Sequence, residues 1–184
     1  MLTYERLRDL LVYDMKSGEF RWRDDLGTRA GPKMNGRIAG GLSWNGYVKI
    51  KVDGVLHSAH RLAWLYVYGD WPEGSLDHAD GDRKNNVIAN LRIATRAQNS
   101  ANKKSVKRRI APYRGVMPHG PGFVARIHNK GQRFYLGYFT TAKAARDAYQ
   151  AKAKELHGEF AHVEPDQDWR APASYMGLGF SGMN

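Results

Sequence analysis

The sequence contains no cysteine. Disulfide bridges, thiolate zinc sites and cysteine nucleophiles are therefore excluded, and a bound metal would need oxygen or imidazole ligands. Long apolar runs are also missing, since the longest, LAWLYVY at 62–68, is far shorter than the roughly 20 residues of a membrane-spanning helix. The N-terminal segment lacks the apolar centre of a signal peptide. These absences predict a soluble protein of the cytoplasm without a membrane partner.

Repeats and glycine-rich phosphate loops are absent as well, which excludes kinase, Rossmann and Walker nucleotide sites. The 184 residues fit one large domain or two small ones. A composition of 42% hydrophobic and 11% aromatic residues is sufficient for packed cores, so we expect a folded protein.

Acidic residues are scarce in the C-terminal half. Residues 101–163 contain 13 basic and 3 acidic side chains, a net charge of +10, in a chain whose total is +11. Such a field favours a polyanion, and the interleaving of aromatic residues with arginines favours nucleic acid over a membrane surface. The alternative is that the basic residues only solubilise the surface.

The first 70 residues show alternating signals of helix and strand. Thr3 is a candidate cap for a short helix, and residues 19–23 alternate like a strand. Residues 53–54, Asp-Gly, predict the turn of a β-hairpin. Residues 59–69 have helical character, and we interpret His60 at their start as a hydrogen-bonded packing residue rather than a DNA contact.

Residues 103–109, KKSVKRR, hold five basic residues in seven positions and show no apolar pattern. We interpret this region as leading into a basic linker, residues 105–112, that lies along phosphates. The predicted DNA contacts here are Lys103, Lys104, Lys107, Arg108 and Arg109.

Beyond the linker, a second module is predicted over residues 113–163. Three strand-like runs, YRGV, GFVARIHN and QRFYLGYF, precede an alanine-rich helix that Thr140 or Thr141 caps and Gly158 ends. Because alanine is small, the helix can lie close against a three-stranded antiparallel sheet. The residues from 164 to 184 are expected to form a mobile tail.

Residues 76–102, LDHADGDRKNNVIANLRIATRAQNSAN, are rich in Asn and Asp. A turn-rich surface loop is one interpretation. The other is a strand ending in Asp77 and His78, a wide loop, a second strand and a helix carrying Asn99, which together would hold one hard cation. The two interpretations differ in whether these side chains act in catalysis.

Phosphodiester cleavage needs a base that deprotonates water and a cation that neutralises developing charge. His78 suits the base, because an ordinary imidazole is mostly neutral at pH 7. Asp77 and Asn99 supply oxygen ligands for Mg²⁺ or Mn²⁺, which would stay largely hydrated. Asn90 would hydrogen-bond across the hairpin and hold the His78 strand.

The same stretch resembles the HNH endonuclease motif, in the phage and intron-encoded homing variety whose later histidines are asparagines. Asn90 and Asn99 follow His78 by twelve and twenty-one positions, as in that family. The resemblance covers most of residues 1–104 and implies a ββα-metal core over about 74–104. It also implies cleavage of double-stranded DNA to 5′-phosphate and 3′-hydroxyl ends.

The second module resembles the APETALA-type DNA-binding domain of plant ethylene-response factors, on the basis of YRGV, FVARI, FYLGYF and LHGEFA. That resemblance implies a sheet facing double-stranded DNA. By matching positions, the DNA-facing residues are Arg114, Arg126, Arg133 and Tyr135. Residues 117–122, MPHGPG, lack arginines of the plant pattern, so the plant target sequence is not implied.

The sequence therefore predicts an α+β protein in which an HNH nuclease module precedes a DNA-binding module, encoded by a phage and acting in a bacterial host. The alternative is a DNA-binding transcriptional regulator with a vestigial nuclease fold. A structural nucleic-acid-binding protein, including one for RNA, is a third interpretation, which the lack of repeated stacking motifs disfavours. Nothing in the sequence indicates an obligate protein partner.

Overall fold

The computed structural model describes residues 1–24, 36–102 and 113–165. Helices and strands occur together in it, as the α+β class requires. The chain divides into two compact units, Met1–Asn99 and Ser100–Asn184. Each unit has its own hydrophobic clusters.

Several predicted features lie outside the described residues. They are the basic linker 105–112, most of the tail from residue 164, and the five proposed DNA contacts Lys103, Lys104, Lys107, Arg108 and Arg109.

The first unit begins with helix α1, Tyr4–Leu10. The predicted cap is confirmed, because the Thr3 hydroxyl accepts a hydrogen bond from the Arg6 amide at 3.2 Å. The chain continues directly into β1, Leu11–Tyr13, which pairs antiparallel with β2, Phe20–Trp22.

A three-stranded antiparallel sheet follows, in the order β3-β4-β5. Its strands are β3, Gly41–Leu42, β4, Val48–Val52, and β5, Val55–Ser58. The predicted turn between β4 and β5 is confirmed: Asp53 and Gly54 have φ values of 46° and 82°. Two consecutive positive φ values define the turn type that matches the twist of paired strands.

Helix α2, Ala59–Tyr68, ends at Gly69 in the left-handed conformation, as its sequence predicts. Its buried face, with Leu62 and Leu65, packs into a core with Leu7 and Ile50. Burying each such aliphatic side chain contributes roughly 1.5–3 kcal/mol, so this core anchors the elements that carry the site described below.

The segment after α2 contains an antiparallel strand pair and a short helix. Strand β6 is Ser75–His78, β7 is Leu91–Ala94, and helix α3 is Arg96–Asn102. The Thr95 hydroxyl accepts from the Gln98 amide at 3.3 Å, while the Gln98 side chain accepts from the Thr95 amide at 2.8 Å. This reciprocal capping box defines where α3 begins.

The second unit contains a three-stranded antiparallel sheet in the order β10-β9-β8 and helix α4, Ala142–His157. The strands are β8, Val116–His119, β9, Gly122–Asn129, and β10, Gln132–Phe139. Ala145 and Tyr149 of α4 are buried in clusters with strand residues such as Ala125 and Ile127. None of the helices in the described part of the chain is long and apolar enough to cross a membrane.

The first strand of this sheet lies later in the chain than predicted. Residues 113–116 form a turn that ends in the strand, because Gly115 has φ = 69° and cannot continue an extended run. A Cβ atom at Gly115 would collide with the Tyr149 ring, so α4 closes over the turn at this glycine. The strand therefore includes Met117, Pro118 and His119, which follow the predicted run YRGV.

Candidate active site and nucleic-acid interface

The β6–β7 pair places the two predicted catalytic neighbours in different surroundings. In its register Asp77 lies opposite Arg92, and His78 lies opposite Leu91. Successive strand residues point to opposite faces, so Asp77 and His78 contact different partners although they are adjacent in sequence. Both side chains are buried, with residue exposures of 8% and 4%.

Asp77 is held by a partly buried ion pair. The Nε and Nη2 atoms of Arg92 donate to Oδ2 of Asp77 at 3.1 and 2.9 Å. A charge-assisted contact of this kind is stronger than a neutral hydrogen bond. Sequence reasoning missed Arg92, although its cross-strand position follows once the β6–β7 register is known.

His78 is oriented by Asn86. The Nε2 atom of His78 lies 3.3 Å from Oδ1 of Asn86, and Nδ2 of Asn86 donates to the Lys84 carbonyl at 3.0 Å. With the amide nitrogen committed to Lys84, Asn86 presents an acceptor to His78. We therefore assign the proton to Nε2 and the lone pair of neutral His78 to Nδ1.

Asn86 is itself immobilised by the β1–β2 hairpin. Its exposure is 2%, and its carbonyl accepts the Tyr13 hydroxyl proton at 2.8 Å. Burial raises the pKa of Tyr13 to about 12, so the hydroxyl stays protonated and donates. A Cβ at Gly18 would lie 2.5 Å from the Val87 amide nitrogen, so this glycine allows the hairpin to contact the Asn86 backbone.

Two aromatic rings enclose His78. Its ring centroid lies 5.1 Å from that of His60, edge-on, and 5.9 Å from that of Tyr47. Burial lowers the pKa of His78, and the Asn86 hydrogen bond partly opposes this effect. The imidazole is therefore neutral at pH 7, the state that accepts a proton.

The sequence predicts that His60 is a hydrogen-bonded packing residue; the packing is confirmed, and the hydrogen bond at Nδ1 is not. It is a buried packing residue, but Nδ1 of its ring has no hydrogen-bond partner in the described structure. Burial lowers the pKa of His60 to about 3. The His60 imidazole is therefore neutral. Its Nδ1 atom lacks a hydrogen bond to any described residue because the ring packs against His78 instead of against a polar partner.

Asn90 closes the loop between the two strands. It is the last residue of a 3₁₀ turn, Ile88–Asn90, rather than the first residue of β7. Its Nδ2 donates to the Asp80 carboxylate at 3.0 Å and to the Asn85 carbonyl at 2.9 Å, and its Oδ1 accepts the Asp80 amide proton. Asn90 thus bonds across the hairpin, while the asparagine that contacts His78 is Asn86.

Asp80 receives several of the loop's hydrogen bonds. Burial acts to raise the pKa of Asp80, but hydrogen bonds from the Asp82 amide and from the Asn85 and Asn90 side chains outweigh it and lower the pKa. The loop is therefore closed around an ionised carboxylate at neutral pH.

Asn99 lies on α3 and is half-buried. Its backbone amide donates to the Thr95 carbonyl at 2.9 Å, and its side chain makes no hydrogen bond within the described ranges. The predicted convergence of Asn99 with Asp77 on one cation stays a prediction.

The donor atoms present fit one kind of metal site. Among the described residues no group of three or more His, Cys, Asp or Glu side chains could hold an ion. A carboxylate from Asp77 and an amide oxygen from Asn99 are hard ligands that suit Mg²⁺ or Mn²⁺ in a largely hydrated form. They do not fit a closed structural metal site.

The second unit presents a basic and aromatic sheet face. Arg126 of β9 lies opposite Tyr135 of β10, with its Cζ 5.9 Å from the ring centroid, and Tyr135 is 63% exposed. Arg133, paired with His128, is exposed on the same two strands. Three of the four predicted DNA-facing residues of this module are thus on one accessible surface.

Arg114 is placed differently from the other three. Its guanidinium donates to the carbonyls of Ala101 and Ser100 at 2.8 and 3.2 Å, and its amide donates to Glu164 at 3.0 Å. These bonds hold the side chain on the main chain of its own unit. The DNA contact predicted for Arg114 stays a prediction, whereas these internal hydrogen bonds are what the structure shows.

Tyr138 is a further member of the sheet face that sequence alternation missed. A β-bulge between Tyr135 and Gly137 shifts the register by one residue, so Tyr138 pairs with Val124 and Tyr135 with Arg126. Because Val124 and Arg126 share a face, so do the two tyrosines. Strict alternation would have placed them on opposite sides.

Comparison with known proteins supports the interpretation of the first unit. Residues 57–101 match the family described as HNH endonuclease. An uncharacterized HNH endonuclease of Acanthamoeba polyphaga mimivirus is 33% identical over 105 residues, covering 55% of this chain and 54% of the relative. The chain thus spans about half the length of that relative. No solved structure matches the chain.

The matched segment runs from β5 through α3 and contains every residue of the His78 environment except Tyr47 and the β1–β2 hairpin. The site geometry and the family match therefore concern the same segment, residues 57–101, which is similar to HNH endonucleases.

Proposed function

We propose that this protein is a divalent-metal-dependent endonuclease that hydrolyses phosphodiester bonds in double-stranded DNA, leaving 5′-phosphate and 3′-hydroxyl ends. The observation that carries the proposal is the state of His78: a buried, neutral imidazole whose Nε2 is held by Asn86. Its lone pair is thereby assigned to Nδ1, the atom that would accept the proton of an attacking water.

The roles of the other residues follow from their contacts. Asn86 fixes the tautomer and the ring angle of His78, and Tyr13 and Gly18 fix Asn86. Asp77 and Asn99 would hold the cation. Such an ion stabilises charge that develops on the phosphate and on the leaving oxygen.

Arg92 also contributes to the proposed chemistry. It neutralises Asp77 in the resting protein, and its side chain is 19% exposed. A guanidinium is suited to bind phosphate as well as carboxylate, so Arg92 would be able to contact the substrate phosphate while Asp77 would hold the cation.

The second unit is proposed to bind and position DNA through Arg126, Arg133, Tyr135 and Tyr138. Exposed arginines beside exposed aromatic rings provide both phosphate contacts and base contacts. We take double-stranded DNA as the partner because antiparallel strands with such side chains can enter a major groove.

The Asp77–Arg92 ion pair also favours a second candidate, a DNA-binding regulator whose nuclease domain does not load metal. Incubating the purified chain with plasmid and phage DNA in Mg²⁺, in Mn²⁺ and in EDTA separates the two. We expect cleavage with either metal, none with EDTA, and products that ligase rejoins without added kinase. DNA that is bound but never cut would support the regulator.

A further inference from the structure

Trp44 lies in a rigid turn that the proposed mechanism does not use. The Ser43 carbonyl accepts the Gly46 amide at 2.8 Å, and the Ser43 amide donates to the Tyr47 carbonyl at 2.8 Å. Gly46 has φ = 83°, which a side chain would disfavour. Trp44 and Asn45 are therefore held at the tip of a closed loop between β3 and β4.

The Trp44 side chain is 97% exposed. A tryptophan can remove 150–250 Å² from water when it packs, at about 25 cal/mol per Å². The fold uses almost none of this capacity, although the turn that carries the residue is well defined. The side chain is therefore available to an external partner and is dispensable for folding.

The Trp44 turn is joined to the His78 site. Nη1 of Arg83, in the loop between β6 and β7, donates to the Asn45 carbonyl at 2.7 Å. The Arg83 guanidinium lies 4.9 Å from the Tyr47 ring centroid, and that ring lies 5.9 Å from the His78 ring. Trp44 thus precedes by three residues Tyr47, whose ring lies beside His78, the proposed general base.

We infer that Trp44 is a nucleobase-stacking residue that contacts the DNA beside the phosphodiester cleaved at His78. The inference rests on the proposed endonuclease function. Bases follow one another at 3.4 Å along a strand, so a phosphate at His78 brings several base steps near the Trp44 turn. An exposed indole stacks on a base or enters a base step from the groove, and Arg83 beside it complements the phosphates.

Cleavage kinetics on a duplex that the parent cuts test the role. Trp44→Ala is expected to lower kcat/KM about 5- to 150-fold, the range for loss of one base–aromatic stack, and Trp44→Phe to stay within a few-fold of the parent. Tyr68→Ala, which removes another exposed aromatic residue of the same unit, is the matched control and should cut like the parent. Thermal unfolding of the two Trp44 variants should match the parent, because Trp44 is 97% exposed.

Fluorescence gives a readout that a structural role would not move. In a His78→Ala background that binds without cutting, 2-aminopurine placed at each position around the cleavage site should change in intensity next to the cut. The change should disappear in His78→Ala/Trp44→Ala. Parent-like cleavage by Trp44→Ala, together with a 2-aminopurine change that persists in His78→Ala/Trp44→Ala, would overturn the inference and leave the endonuclease intact. If the parent cut no DNA, both proposals would fail.

Discussion

The loop around His78 and the sheet face around Tyr135 are both polar, but they arrange their polar groups in opposite ways. In the loop, His78 and Asn86 are 4% and 2% exposed and bond to each other. On the sheet face, Arg126 and Arg133 are exposed. The Arg126 guanidinium lies over the ring of Tyr135. The polar groups of the His78 loop hydrogen-bond to one another inside the protein, whereas those of the sheet face point to solvent.

This difference corresponds to what each task requires. Proton transfer needs a base whose tautomer and orientation are set before the substrate arrives. Recognition of DNA needs charges that remain accessible and can adapt to phosphates. Substitutions in the His78 loop should therefore change rate with little effect on binding, and substitutions on the sheet face should do the reverse.

Replacing His78 should have the largest effect. His78→Ala removes the proposed base, so the cleavage rate should fall about 10²- to 10⁴-fold, while affinity for DNA stays within a few-fold. Paired single-turnover cleavage and gel-shift assays on one duplex measure the two quantities. Parent-like cleavage by this variant would show that His78 is not the general base. The proposed division between a loop that controls rate and a sheet face that controls binding would then be wrong.

Asn86 should have the next largest effect. Asn86→Ala should lower the cleavage rate about 10- to 100-fold, because the His78 ring loses its orienting partner. The Asn86 hydrogen bond raises the pKa of His78, so its loss should also move the acidic limb of the pH–rate profile to lower pH. Tyr13→Phe, which removes only the bond to the Asn86 carbonyl, should show a smaller loss; an unshifted pH profile in Asn86→Ala would contradict the assignment.

Acid should destabilise the first unit through His60. Its pKa is about 3 in the folded protein and near 6.5 when unfolded, so its contribution is fully present above pH 6.5 and is lost as pH falls towards 3. The expected loss between pH 7 and pH 5 is about 2 kcal/mol in the free energy of unfolding. Urea unfolding at both pH values measures it.

The matched control for His60 is an exposed histidine of the sheet face. His60→Gln should flatten the pH dependence, whereas His128→Gln should leave it as in the parent. Equal pH dependence in all three proteins would mean that the burial of His60 does not govern acid stability.

The smallest effects are expected on the sheet face. Arg126→Ala and Arg133→Ala should each weaken DNA binding modestly and reduce the slope of log affinity against log salt by about one, as loss of a phosphate contact does. The cleavage rate at saturating DNA should be unchanged. Lys143→Ala, on exposed α4 surface and paired with Asp147, is the control that should leave the slope unaltered.

Local sequence signals determined much of the fold. The Asp53-Gly54 turn, the Thr3 and Thr141 caps and the glycine ends of α2 and α4 are found where the sequence places them. Such features depend on the conformational preferences of a few adjacent residues, and neighbours elsewhere in the chain do not alter them. The similarity of residues 57–101 to HNH endonucleases could also be recognised from the sequence.

The partners of the site residues were decided by tertiary structure. Asn86 rather than Asn90 contacts His78, because the β1–β2 hairpin, more than sixty residues earlier in the chain, packs on the Asn86 backbone. The β-bulge at Leu136 likewise moves Tyr138 onto the outer face of the sheet. Sequence determines which side chains are able to act as a base, a ligand or a contact. Which of them meet depends on strand register and long-range packing, since these bring together residues whose separation in the chain carries no local signal.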